Sequence, residues 1–266
     1  MMYHYILLSF IQAATEFLPV SSSGHLLFFK GLFHIQEIPI IFDIVVHVGS
    51  LTAILIFYGK RLMETLNNAW LEQTEKRDQK THSKLILYIV VSTCVTLLFY
   101  TLLKEPIETH YQSPSILFTT YLVTTVILFS TFFMRHVKGT YVWQKNIVLP
   151  LIVGLFQGLA IMPGISRSGA TISPLLLMGI KKEEAAYYSF VLAIPAILGA
   201  FVFKLSDLES VTFLAEHAGI IVISFIVSVL FSYLFLAMLT FILKKGKFWL
   251  FAFYTLTMAV VSLIIF

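Results

Sequence analysis

Charge is the scarcest feature of this sequence. Of 266 residues only 12% are Asp, Glu, Lys or Arg, against 58% hydrophobic, and the mean hydropathy is +0.90. A soluble domain carries about 25% charged residues, so a soluble globular chain is excluded and an integral membrane protein is expected. Cysteine is nearly absent: Cys94 stands alone inside an apolar run, which excludes intrachain disulfides and leaves the redox compartment unread. The opening MMYHYILLSF has no Lys or Arg before its apolar run. The basic n-region of a cleavable signal peptide is therefore missing, and none is expected. The net charge of +4 comes largely from loops and gives no reason to expect nucleic acid. What the chain has instead is long apolar runs, rich in the aromatic residues expected near lipid and at its interfaces.

A membrane span needs about 20 mostly apolar residues. Six segments qualify, roughly 40–58, 85–103, 114–134, 184–203, 217–243 and 247–266. Two more, 1–33 and 146–179, are long enough but broken in the middle by LPVSSSGH and MPGISRSG. Proline, glycine and a run of hydroxyls end a helix. An unwound backbone at membrane depth is tolerated only where protein or a water-filled cavity lines it. The expected fold is an all-α polytopic membrane protein, with six transmembrane helices plus two re-entrant helix-loop-helix pairs.

Loop charge supports this count. The loops 59–84, 135–145, 180–184 and 244–247 hold 14 of the 18 Lys and Arg residues, and all four fall on one side if both broken segments re-enter. The positive-inside rule makes that side cytoplasmic and leaves both termini outside. The first re-entrant pair then enters from the outer face and the second from the inner face. Their sequences align without a gap at an offset of 145, with Gln12 on Gln157, Ser21 on Ser166, Ser22 on Arg167, Ser23 on Ser168 and Gly24 on Gly169. Weak similarity with opposite insertion is the signature of an inverted repeat. One membrane domain over 1–266 is expected, with repeats at about 1–103 and 146–243.

Charges deep in a membrane are costly and usually functional. Glu16, His25 and Arg167 occupy the two broken elements. Arg167 either snorkels to an interface or clamps phosphate. A guanidinium fork fits phosphate oxygens, and the N–H groups of a Gly/Ser loop at a helix N-terminus favour anions. Ser166, Ser168 and Thr171 add hydroxyls beside it. Gln12 and Glu16 share one helix face; Glu16 either neutralises Arg167 or serves as an acid–base group or metal ligand. His25, beside Ser21, Ser22 and Ser23, is a satisfied polar residue or the base of a nucleophile–base pair. Asp43 and His47, four residues apart, line the cavity or pair with each other. The run KKEEAA at 181–186 places lysines at an interface and acids in a helix's first turn.

QAATEFLPVSSSGHL (12–26) and PGISRSGATIS (163–173) closely resemble the two signature regions of the undecaprenyl-diphosphatase family, also called the bacitracin-resistance family. FDIVVHVGSLTAIL (42–55) and EEAAYYSFVLAIPAILGA (183–200) fit the same pattern, and the likeness runs along nearly the whole chain. The resemblance implies hydrolysis of undecaprenyl diphosphate to the monophosphate and phosphate, which recycles the lipid carrier of bacterial cell-wall synthesis, and an association with bacitracin resistance. It implies a divalent cation, Mg2+ or Ca2+, a cell-membrane location and an active site facing outward. Glu16 matches the second acidic position of the family's (E/Q)xxxE motif, and His25 matches its histidine. Ser22 matches the serine proposed as nucleophile. Arg167 with Ser166, Ser168 and Thr171 matches PGxSRSxxT. Gln12 stands where many members carry Glu, so the pair offers one carboxylate fewer to a metal; Glu16 remains the expected ligand.

Phosphoryl transfer depends mostly on positioning and charge neutralisation. Arg167, the loop amides and the metal are expected to hold the diphosphate, with Gln12, Ser21, Ser23, Ser166, Ser168 and Thr171 around it. Ser22, or a water in its place, attacks. His25 acts as base and then acid, oriented by Glu16. The expected partners are a polyprenyl diphosphate lipid and membrane lipids, with a homodimer left open. The rival reading is a polyprenyl-phosphate flippase, since inverted repeats with broken helices are typical of carriers. A protein that sequesters lipid without chemistry is the third.

Overall fold

The computed structural model describes residues 2–35, 38–75, 80–110, 113–134, 139, 147–205 and 208–266. Among them every regular element is a helix: α1 (Met2–Phe17), α2 (Ser22–Leu32), α3 (Ile40–Thr74), α4 (Thr81–His110), α5 (Leu117–Ser130), α6 (Val148–Leu159), α7 (Arg167–Leu177), α8 (Lys182–Leu205), α9 (Leu208–Glu216), α10 (Ala218–Lys244) and α11 (Phe251–Ile265). Six helical stretches are long and apolar enough to cross a membrane, and they coincide with the six expected spans.

Both broken segments fold as two short helices joined by a polar turn. α1 stops at Phe17, just before Leu18 and Pro19, because a residue preceding proline is driven out of the helical region. α2 restarts at Ser22 under a cap in which the Ser21 hydroxyl accepts the Gly24 N–H at 3.2 Å. The second break repeats the device: α6 ends at Leu159, and the Ser166 hydroxyl accepts the Gly169 N–H at 3.1 Å as α7 begins. Such caps satisfy donors that a helix start otherwise leaves bare.

α3 departs from expectation. Residues 59–84 were expected as a loop, but the helix that enters at Ile40 runs on to Thr74. The stretch from Lys60 to Thr74 contains no proline and many good helix formers, so nothing stops the helix where the lipid ends. Its 35 residues reach roughly 50 Å at about 1.5 Å each, well beyond a hydrocarbon core of about 30 Å. Glu72, near the end of α3, accepts the N–H groups of His82 and Ser83 on its carboxylate at 3.0 and 2.8 Å and so caps α4. Five of the basic residues counted above, Lys76, Arg77, Arg135, Lys138 and Lys145, lie outside the described residues.

α1 packs on α10 and α10 on α3, α4 on α6, and α5 on α11. At the α3–α10 crossing, a side chain on Gly49 would sit 2.7 Å from Ser228 Cβ. Small residues let helices approach this closely where lipid removes the usual hydrophobic drive. α7 is buried along most of its length, between α5, α6 and α8. Its Ile172 and Leu175 share a core with Leu128, Leu149, Tyr187, Tyr188 and Leu236.

Candidate active site

The two polar turns meet. Gly164 donates its N–H to the Ser21 hydroxyl at 3.1 Å, and Ser168 donates its hydroxyl hydrogen to the Leu18 carbonyl at 3.3 Å. A Cβ on Gly24 would lie 2.7 Å from Gly164 Cα, so the backbones touch without side chains between them. Gly164 has φ +94° and Ser21 φ +68°. Left-handed backbone is costly for a residue with a Cβ, and Ser21 is held there by two N–H donors on its own hydroxyl, one from each turn.

This junction encloses a cavity of about 190 Å³ lined by Glu16, Ser21–Ser23, His47, Ser166 and Arg167, with Ala160, Ile161 and Ile165 closing its apolar side. The N-termini of α2 and α7 both open onto it. Each brings N–H groups that have no acceptor within the helix and the positive end of a helix dipole.

Glu16 is the centre of the polar network. Its side chain is 3% exposed, against 21% for Arg167. One carboxylate oxygen, Oε1, accepts from Arg167 Nη2. The other, Oε2, accepts from the Ser22 hydroxyl at 2.5 Å and from the Gln12 amide at 3.2 Å, and lies 3.1 Å from His47 Nε2. Gln12 is fixed in turn by the hydroxyls of Ser50 and Ser228 at 3.0 and 3.1 Å. The nucleophile candidate, the carboxylate and the guanidinium therefore form a continuous chain of contacts that crosses from one half of the sequence to the other.

Four residues singled out by sequence do not line the cavity: Gln12 stands behind Glu16, Ser168 is turned to the Leu18 carbonyl, and His25 and Thr171 lie further off. His25 is buried and turned away from Glu16. Its Nδ1 faces the Ser21 carbonyl oxygen at 2.7 Å, with the Tyr121 hydroxyl 3.0 Å from the same nitrogen, and its Nε2 accepts from the Tyr254 hydroxyl at 2.7 Å. Thr171 points into the packing, 2.8 Å from the Arg167 carbonyl and 2.6 Å from the Ser189 hydroxyl. The imidazole beside Glu16 is that of His47. Asp43, its expected companion, binds Lys30 at 2.7 Å through its carboxylate and reaches His47 only through its backbone carbonyl. Ser50, Ser228, Ser232, Tyr121 and Tyr254 were not singled out by sequence. The spacing Ser224, Ser228, Ser232 in an otherwise apolar span marks one helix face and was a usable signal; the tyrosines, common near lipid, gave none.

The donor set bears on the expected cation. Among the described residues no group of three His, Cys, Asp or Glu forms a metal cage. Mg2+ is commonly held by one or two carboxylates with substrate phosphates and water completing its shell. Glu16 and the hydroxyls of Ser22 and Ser23, on one cavity wall, fit that mode; Ser21, whose hydroxyl already accepts two N–H groups, does not.

Fold and site together define a polytopic helical membrane protein with a buried, anion-accepting polar cavity built from two broken helices. Comparison with known proteins narrows this class. A family model described as bacitracin resistance protein BacA matches residues 5–261, and the chain belongs to that family. It is 35% identical to an undecaprenyl-diphosphatase of Methanosphaera stadtmanae over 98% of this chain and 96% of the relative. It is 35% identical to one from Treponema denticola over 94% and 91%, and 36% identical to one from Carboxydothermus hydrogenoformans over 98% and 95%.

Proposed function

We propose that this protein is an undecaprenyl-diphosphatase, hydrolysing undecaprenyl diphosphate to undecaprenyl phosphate and phosphate, recycling the lipid carrier of cell-wall synthesis and conferring bacitracin resistance. The observation that carries the reading is the Ser22–Glu16–Arg167 chain inside a cavity faced by two helix N-termini. Phosphoryl transfer asks for held charge and a positioned nucleophile, and these residues supply both. Arg167 and the first N–H groups of α2 and α7 hold the terminal phosphoryl group and take up charge on its equatorial oxygens. Ser22 Oγ attacks phosphorus as its proton passes to Glu16 Oε2, which hands it on to the departing undecaprenyl phosphate as the bridging P–O bond breaks. Water then attacks the phosphoserine, Glu16 taking a proton from the water and giving it to Ser22 Oγ as the serine–phosphorus bond breaks and phosphate leaves. His25 holds the Ser21 carbonyl and thus the turn that presents Ser22. A divalent cation, held by Glu16 and the Ser22 and Ser23 hydroxyls, would neutralise the diphosphate charge.

The substrate is a lipid, and an apolar groove of about 470 Å³ between α1, α10 and α11 abuts the turn at Val20, next to Ser21. In our reading the two broken segments re-enter the cell membrane from opposite faces as halves of an inverted repeat. Both termini lie outside and the cavity opens outward. A carrier of polyprenyl phosphate would use the same anion site, but it has no need of a serine hydroxyl 2.5 Å from a buried carboxylate.

Phosphate release from undecaprenyl diphosphate by purified protein tests this reading. Wild type is expected to release phosphate in a chelator-sensitive reaction, and Ser22→Ala to lose at least about 100-fold in kcat. A folded wild type that releases none, yet moves polyprenyl phosphate between leaflets of a vesicle, would overturn it.

A further inference from the structure

Tyr254 of α11 has two surroundings at once. Its ring forms part of the wall of the apolar groove, with Leu18, Val20, Ile242, Leu250 and Phe251, and the residue is 45% exposed. Its hydroxyl points the other way, into the protein, and donates to His25 Nε2 at 2.7 Å. The two rings lie nearly parallel, 11° apart. A phenol in an apolar wall needs a partner for its O–H. Here the partner is an imidazole whose far side ends on the turn that carries Ser22. The hydrogen positions follow from the contacts. The Ser21 carbonyl oxygen, 2.7 Å from Nδ1, can only accept, so Nδ1 carries the ring hydrogen. Nε2 of the neutral ring is then a lone pair, which the Tyr254 O–H fills. The Tyr121 hydroxyl, 3.0 Å from Nδ1, is a second acceptor for the ring hydrogen. Among the described residues it leaves Nε2 to Tyr254 alone.

We propose that Tyr254 is a positioning residue: from the wall of the lipid groove its hydroxyl braces the His25 ring, which holds the Ser21 carbonyl and so keeps Ser22 aimed at the site. This rests on the phosphatase reading above. The Ser21 carbonyl belongs to the Ser21–Ser22 peptide, whose N–H is the first of α2 and whose plane sets where Ser22 Oγ lies relative to Glu16. Ser21 stands at φ +68°, a backbone that a residue with a Cβ adopts only under restraint. The His25 N–H reaches the same carbonyl at 3.1 Å, and the ring N–H is the shorter of the two bonds. Without the phenol O–H, Nε2 is a buried acceptor with no donor and the ring is held from one side only. α11 is a firm support, because the Thr255 and Thr125 hydroxyls lie 2.8 Å apart and tie it to α5 beside Tyr254. The lipid tail in the groove therefore runs against the residue that steadies the nucleophile turn.

Phosphate release from a polyprenyl diphosphate by purified full-length protein is compared for wild type, Tyr254→Phe, His25→Asn and the double variant. Tyr254→Phe keeps the ring in the groove and removes only the O–H. It is expected to lose roughly 3- to 10-fold in kcat, the scale of one neutral hydrogen bond, with KM within about 2-fold of wild type. In His25→Asn the amide takes the place of Nδ1 and keeps an N–H for the Ser21 carbonyl, but offers nothing to Tyr254. On that background Tyr254→Phe is expected to change kcat by less than about 2-fold, because the phenol acts through Nε2. A tyrosine that only lines the groove is replaced by phenylalanine without loss in kcat. That result, or losses that multiply in the double variant, would overturn the assignment. A folded wild type that releases no phosphate would instead bring down the phosphatase reading and this inference with it, an outcome distinct from an active enzyme unmoved by Tyr254→Phe.

Discussion

A guanidinium inside a bilayer costs about 2.5–3.5 kcal/mol even on lenient insertion scales, and Arg167 adds to that cost by standing at the first position of α7, where the helix dipole is already positive. Glu16 offsets part of this. Two helix N-termini and one guanidinium against one carboxylate leave a site still short of negative charge, which is what an incoming diphosphate brings. The turn itself depends on Gly164, where an added Cβ would lie 1.9 Å from Thr120 Oγ1 at φ +94°. Gly164→Ala should cost at least about 1–3 kcal/mol through backbone strain alone, seen as a lowered melting temperature. Adding Thr120→Ala should recover only the part due to the clash. Single residues were unevenly legible in the sequence. Glu16, Ser22 and Arg167 could be picked out because polar groups inside apolar runs are conspicuous. His25 was expected to meet Glu16, yet the imidazole beside it is that of His47, because which ring meets the carboxylate depends on how α2 and α3 are rotated, and no local pattern records that.

At the scale of elements, the breaks were easier to read than the ends. Proline combined with glycine and hydroxyls at 18–23 and 160–168 breaks the helix, and both breaks lie where those residues predict, whereas Pro174 and Pro195 stay inside α7 and α8. The far end of α3 was missed because a charged, proline-free stretch reads equally as solvated loop or as helix beyond the lipid. The Glu72 carboxylate ties the end of α3 to the start of α4. Burial opposes its charge, but the N–H groups of His82 and Ser83, with the His82 and Ser83 side chains, outweigh it and hold the carboxyl down at about 2. A carboxyl depressed in this way contributes fully above the ordinary range near 4.3, and the contribution is lost as pH falls through that range toward about 2. Glu72→Gln should therefore lower stability at neutral pH by about 1 kcal/mol for a lost cap, seen as a lowered melting temperature, and by less at about pH 3. An equal difference at both pH values would contradict the capping account.

For the whole molecule, composition alone established the class, and the six expected spans recur as six apolar helices. The arrangement of the halves was less visible, because the alignment at an offset of 145 matches only a few residues, while α1 packs on α10 through Phe10 with Phe231 and Phe235 and α4 on α6 where Gly154 meets Ser92 and Val95, contacts that carry no periodic charge pattern. The proposed orientation can be measured directly. In a Cys94→Ala background, a cysteine replacing Met2 should react with a membrane-impermeant maleimide on intact cells. One replacing Lys80 or Lys245 should react only after permeabilisation. Labelling of all three in intact cells, or the reverse pattern, would contradict the charge-based topology.

The central claim is that Glu16 from the first broken helix and Arg167 from the second act as one unit on the diphosphate. A double-mutant cycle on kcat/KM, with Glu16→Gln, Arg167→Ala and the pair together, tests it most directly. The account predicts that each single variant loses at least about 100-fold and that the double variant is little worse than the poorer single, as for groups that work jointly. Losses that simply multiply, or a single variant at the wild-type rate, would contradict it.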